Sequence, residues 1–225
     1  MGIPSWVWFV IAVVALLVGV ALLVADRGRP AASPTGGAKD RKRWAALHDW
    51  DFHESDPVLT SRWHYGTVQK GGPGIARNLA SGTVPTPEGG RNGVVFDHEQ
   101  QGTVHAVVVG VELRESLPAA VELRLPTAPL PERDGAGLDL LEPVGQRYSF
   151  VSDADTIRPL LTPRLADAAD AVGQDIELLW AEDSWVLAAA PVDADPERTQ
   201  DLLADLAEVA TAFEHAVDGA HPRSQ

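Results

Sequence analysis

The stretch Trp6–Ala25 holds twenty residues and no charged side chain, and nothing else in the sequence restricts the chain so tightly. As a helix rising about 1.5 Å per residue, such a run spans about 30 Å, the thickness of a bilayer's hydrocarbon core. Thirteen of the twenty are Leu, Ile, Val or Phe, including Leu16, Leu17, Leu22 and Leu23. Together they favour insertion by roughly 4–8 kcal/mol. Trp6 and Trp8 stand at one end, where amphipathic indoles prefer the headgroup layer. The run reads as an uncleaved anchor rather than a signal peptide: no Lys or Arg precedes it, and no clear small-x-small cleavage site follows. Ala15 and Gly19 form a small-xxx-small pair, a weak route to self-association of two anchors.

Charge gives the anchor a direction. Arg27, Arg29, Lys39, Arg41, Lys42 and Arg43 follow it closely. The positive-inside rule then predicts a single-pass protein of the cell membrane with its C-terminal domain in the cytoplasm. The same cluster can rest on anionic headgroups, making the lipid bilayer a partner. From Trp44 onward the chain carries 12 basic and 30 acidic residues, a formal charge of −18. An acidic domain without a basic face excludes nucleic acid as a partner. The chain has no cysteine, which excludes disulfide scaffolds, thiolate nucleophiles and Cys-ligated metals.

The pattern predicts four segments: an anchor over 1–25, a basic Pro/Gly linker over 26–43, an α+β domain over 44–218 and a tail over 219–225. Asp26–Asp40, with Pro30, Pro34, Gly28, Gly36 and Gly37, has no apolar period and reads as extended chain. A short helix is expected to begin at Lys42. Asp49–Glu54 alternates at the strand period of two. Asp56-Pro57 reads as a turn or helix start, with Trp50, Leu59 and Trp63 giving that segment its buried side. Strands are expected at Arg77–Val84, Gly93–Glu99 and Thr103–Leu113, the last two joined by Gln100-Gln101-Gly102. Val107–Val109 with Val111 predicts a central strand buried on both faces. Ala120–Leu125 alternates, which predicts one wet face bearing Glu122 and Arg124. Tyr148–Val151 is a further strand, and a second hairpin turns around Glu182-Asp183-Ser184. Asp153 and Thr162 are N-cap candidates. Asp195-Pro196-Glu197 opens a last helix whose stripe is Leu202, Leu206, Val209, Phe213 and Val217. Strands followed by helix, hairpin and helix predict an α+β fold around a mainly antiparallel sheet.

Trp50, Asp56-Pro57-Val58-Leu59, Arg62-Trp63, Gly82, Phe96-Asp97, Leu125-Pro126, Arg147-Tyr148-Ser149-Phe150, Leu161-Thr162-Pro163-Arg164 and Trp180 occur in an order and spacing that resemble an uncharacterised family of small membrane-anchored actinobacterial proteins. The resemblance runs from about Ala46 to Ala190. It departs at Thr67-Val68, where the family pattern has Pro-Phe, and at His98, where it has Tyr. It implies no activity and transfers no catalytic residue.

Reactive constellations are sparse. Asp49, Asp51 and His53, with Glu54 and Asp56 nearby, are the candidate metal ligands, though the spacing matches no defined site. His98 and His105 are expected to face each other across the first hairpin. No serine lies in a nucleophile elbow, and Gly71-Gly72-Pro73-Gly74 lacks the Lys-Ser/Thr of a phosphate loop. No cofactor motif is present. Trp50, Trp63, Trp180 and Trp185 read as core packing before they read as a stacking surface. The expectation is therefore a non-enzymatic interaction or accessory domain at the membrane, with an unidentified protein partner. The competing reading is a metal-dependent enzyme or sensor built on Asp49–Asp56.

Overall fold

The computed structural model describes residues 35–68, 72–131 and 137–220. The anchor Trp6–Ala25, with Arg27 and Arg29, lies outside the described residues, as does the end of the tail. No helix among the described residues is long and apolar enough to cross a membrane.

Among the described residues nine strands form one antiparallel sheet: β1 (Asp51–Asp56), β2 (Ile75–Thr86), β3 (Gly89–Gln100), β4 (Thr103–Glu112), β5 (Val121–Arg124), β6 (Asp139–Leu140), β7 (Tyr148–Val151), β8 (Leu178–Glu182) and β9 (Trp185–Ala190). Their order is β1-β2-β3-β4-β9-β8-β5-β7-β6. The meander β1 to β4 joins the β8–β9 hairpin through β4 and β9, with Val109 opposite Ala188. β4 is thereby central, and Val107, Val108, Val109 and Val111 are fully buried. Gln101 and Gly102 both take positive φ in the β3–β4 turn, the backbone of a tight hairpin loop.

The sheet has two covered faces. Val95, Val107, Val109 and Val111 point to the face covered by helices. These are α1 (Thr35–Leu47), α2 (Ala154–Ile157), α3 (Pro163–Ala171) and α4 (Pro196–Ala220). α4 lies over β4 and β9 and buries Leu202, Leu206, Val209 and Phe213 as its pattern predicts. Asp195 caps it by accepting from the Arg198 amide at 2.7 Å. Asp153 and Thr162 cap α2 and α3. Val94, Phe96, Val108 and Leu187 point to the opposite face, which the segment between β1 and β2 covers with Leu59, Trp63 and Val68.

Four expectations are corrected. The linker over 26–43 is in part helix, because α1 starts at Thr35. Its Ala, Lys and Arg residues are strong helix formers, and Arg41 fastens it to the sheet. Arg41 is accordingly not a free juxtamembrane cation: it is 7% exposed and donates to Asp97 Oδ1 at 2.6 Å. Trp50 does not share a buried side with Leu59 and Trp63. It packs on the helix-covered face, where Gly82 and Gly93 leave room that a Cβ would fill. β5 has no wet face: all four of its residues are buried, since β7, β8 and the β1–β2 segment enclose it.

Candidate functional site

A dense set of polar contacts among the described residues fixes residues 56–68 and 72–74, between β1 and β2, onto the sheet. This strap begins at Asp56, whose Oδ1 accepts from the amides of Val58 and Leu59 at 2.8 and 3.0 Å. A short 3-10 helix, Leu59–Arg62, follows this turn. Trp63 then turns into the sheet. Its ring lies parallel to Phe96 at 5.9 Å and edge-on to Trp185 at 5.8 Å.

Two buried carboxylates hold the following residues. Glu182, on β8, accepts from the His64 amide at 2.9 Å and the Tyr65 amide at 3.2 Å. Its other oxygen lies 2.9 Å from His64 Nδ1. Glu122, on β5 and 0% exposed, accepts from the Gly66 amide at 2.7 Å and from Arg124 Nε at 2.7 Å. Gly66 has φ +72, and a Cβ there would strike the Trp180 ring. Strand registry explains the arrangement. Trp180 pairs with Glu122 across β8 and β5, while Glu182 pairs with Trp185 across β8 and β9. The period of two puts all four on one face.

The far end of the strap is held by its carbonyls. His98 Nε2 lies 3.0 Å from Pro73 O, Gln100 donates to Gly72 O, and Thr60 Oγ1 donates to Gly74 O at 3.0 Å. Burial, the largest influence on His98, holds its pKa below the ordinary value; the Pro73 bond opposes this and His105 adds to it. The Pro73 carbonyl can only accept, which places a proton on Nε2. Trp63 Nε1 and Trp180 Nε1 are buried without a hydrogen-bond partner among the described residues.

Chemically this is a clamp. Backbone amides occupy both carboxylates, and Trp63, Trp180 and Trp185 form one buried aromatic layer. A second clamp lies on the helix side: Asp97 receives Arg41 through one oxygen and Asn78 Nδ2 through the other at 2.7 Å. Arg147, 1% exposed, donates to the carbonyls of Ala169, Gly173 and Ile176 at the end of α3. Burial, opposed by Asp170 and Asp175, lowers its pKa.

The sequence-derived metal candidates are placed elsewhere. Asp49 sits in the turn before β1 at φ 60, and Asp51 and His53 lie exposed on the edge strand β1. Among the described residues no three His, Asp or Glu side chains come together to hold a metal. His98 and His105 are not cross-strand partners: a bulge shifts the register, and His98 pairs with Ala106. Sequence reading missed Glu122 and Glu182. The available signal was Trp180-Ala181-Glu182, in which the strand period sets a carboxylate beside a buried indole.

Comparison with known proteins adds a family to this geometry. The family model described as trehalose monomycolate transport factor TtfA matches residues 3–207. Trehalose monomycolate transport factor A of Mycolicibacterium smegmatis is 26% identical over 188 residues, which are 84% of this chain and 63% of that protein. The chain therefore spans less than two thirds of that relative's length. The crystal structure of the mycobacterial trehalose monomycolate transport factor A, TtfA, shares the fold at a TM-score of 0.66 and 24% identity, covering 85% of this chain and 99% of that one. The actinobacterial resemblance read from the sequence stands. Its description as an uncharacterised family does not, since the family carries the name of a transport factor. The match over residues 3–207 takes in the apolar N-terminal stretch and most of the domain, and the chain belongs to the TtfA family.

Proposed function

We propose that this chain is a membrane-anchored, non-enzymatic accessory factor in trehalose monomycolate transport. Its α+β domain is held at the membrane by Trp6–Ala25 and docks on a protein of the transport machinery. The observation that carries this reading is the family match over residues 3–207. The clamp agrees with it, because the buried carboxylates Glu122 and Glu182 hold His64, Tyr65 and Gly66 against the sheet. A domain that presents a fixed surface suits docking.

The test is deletion of the gene in its own host, followed by separation of cell-associated and surface-exposed trehalose monomycolate. The proposal expects the lipid to accumulate inside and to be restored outside by the full chain. It expects no restoration by a chain lacking Trp6–Ala25. Unchanged lipid distribution on deletion overturns it. The cytoplasmic placement is checked in intact spheroplasts: added protease should leave the domain whole.

A further inference from the structure

We infer that the outer face of α1 is a docking surface for anionic phospholipid headgroups. This deepens the proposed function and rests on its membrane-anchored reading.

Two opposite faces of α1 carry the inference. The inner face is fixed to the domain. Arg41 is bound to Asp97, Ala45 is fully buried, and Trp44 Nε1 donates to Gln200 on α4 at 3.2 Å. Trp44 also meets Trp50 edge-on at 5.0 Å. The outer face carries Lys39, Lys42 and Arg43, all exposed. Their spacing of i, i+3 and i+4 places them side by side on a helix. Leu47, 73% exposed, follows them. Lys42 Nζ stands over the Phe52 ring at 5.5 Å from its centroid, a cation–π contact that leaves the side chain exposed. The structure thus divides the basic cluster: Arg41 is a structural cation, and the other three are presented outward on a rigid helix.

Charge and reach select the occupant. From Trp44 onward the chain has a formal charge of −18, so an anionic bilayer repels most of its surface. The three exposed cations of α1, offset in part by the exposed Asp40 on the same helix, form a local exception, and they orient the domain with α1 toward the lipid. Nine residues separate Ala25 from Thr35, a reach of at most about 36 Å even when fully extended. The tether therefore allows α1 of an anchored chain to reach the headgroup layer. Attraction of this kind falls off within about 8 Å at physiological ionic strength, so it demands close contact and weakens with salt.

The chain has no cysteine, so a single spin label at Leu47→Cys reports on this face alone. The full-length protein is placed in nanodiscs of phosphatidylcholine, or of phosphatidylcholine with phosphatidylglycerol. In the anionic discs the label should lose contact with a water-soluble relaxing agent and gain contact with oxygen, and added salt should reverse the change. Lys39→Glu/Lys42→Glu/Arg43→Glu should abolish the response, and the neutral Gln triple variant should reduce it without altering the fold. Equal relaxation in both disc types, or an unchanged response in both triple variants, overturns the inference. Crosslinking of Leu47→Cys in native membranes to a protein, with no phosphatidylglycerol response in discs, overturns it in favour of a protein partner. A chain released from discs by alkaline carbonate refutes the anchored reading itself, a result distinct from a retained chain with an unresponsive label.

Discussion

The amide of Gly66 donates to Glu122 Oε1 at 2.7 Å, and both groups are buried. This bond binds a surface segment to a sheet strand 56 residues away. It exists because Gly66, at φ +72, lies against the Trp180 ring with no side chain between them.

Gly66→Ala should therefore be severe. A Cβ both collides with the indole and strains a left-handed backbone, for a combined cost of about 2–5 kcal/mol. Gly72 also has positive φ, but a Cβ there meets nothing within 4 Å. Gly72→Ala should cost only the backbone strain, about 1 kcal/mol. Chemical denaturation of the two variants measures the difference.

Glu182→Gln keeps the shape of the side chain and replaces one acceptor oxygen with a donor, which in either orientation of the amide faces the His64 N–H, since that group contacts both oxygens. The expected loss is about 1–3 kcal/mol. Hydrogen exchange should show faster exchange at His64 and Tyr65 first, while Gly66, held by Glu122, changes less.

Arg41→Met leaves Asp97 as a buried carboxylate with Asn78 as its remaining side-chain partner, at a cost of about 3–5 kcal/mol. Lys42→Met, one residue on but exposed, should stay within about 0.5 kcal/mol of the parent. The double variant Arg41→Met/Asp97→Asn should recover part of the loss. Thermal melting of the four proteins checks all of these.

Acid should weaken the domain through His98. Burial holds its pKa below the ordinary 6.5, so the unfolded chain binds a proton that the native state refuses. Stability from this group is complete above about pH 6.5 and declines as pH falls below it, toward the depressed native value. In His98→Gln, which retains a donor for Pro73 O, that part of the slope should vanish from denaturation curves recorded between neutral and mildly acidic pH.

The caps and stripes were readable because their causes are local. Asp153, Thr162 and Asp195 each cap a neighbour three or fewer residues away. The stripe of α4 needs only the helical period. Arg41 shows where local reasoning stops: in sequence it is one of six basic residues, and only the fold brings it to Asp97, 56 residues away. Glu122 has the same history. Its alternation with Val121 and Leu123 predicts a solvent-facing residue, because a pattern of two cannot reveal that a later strand and an earlier loop will enclose it.

The sequence by itself determined the apolar stretch Trp6–Ala25, the acidic α+β domain, the central valine strand and the helix caps. Each follows from charge, hydropathy or a short-range period. Tertiary structure alone decided which polar residues are buried, that Trp63, Trp180 and Trp185 share one layer while Trp50 lies on the other face, and that α1 presents three cations and hides a fourth. Those outcomes depend on strand order and registry. Contacts between residues dozens of positions apart set both, and no local pattern encodes them.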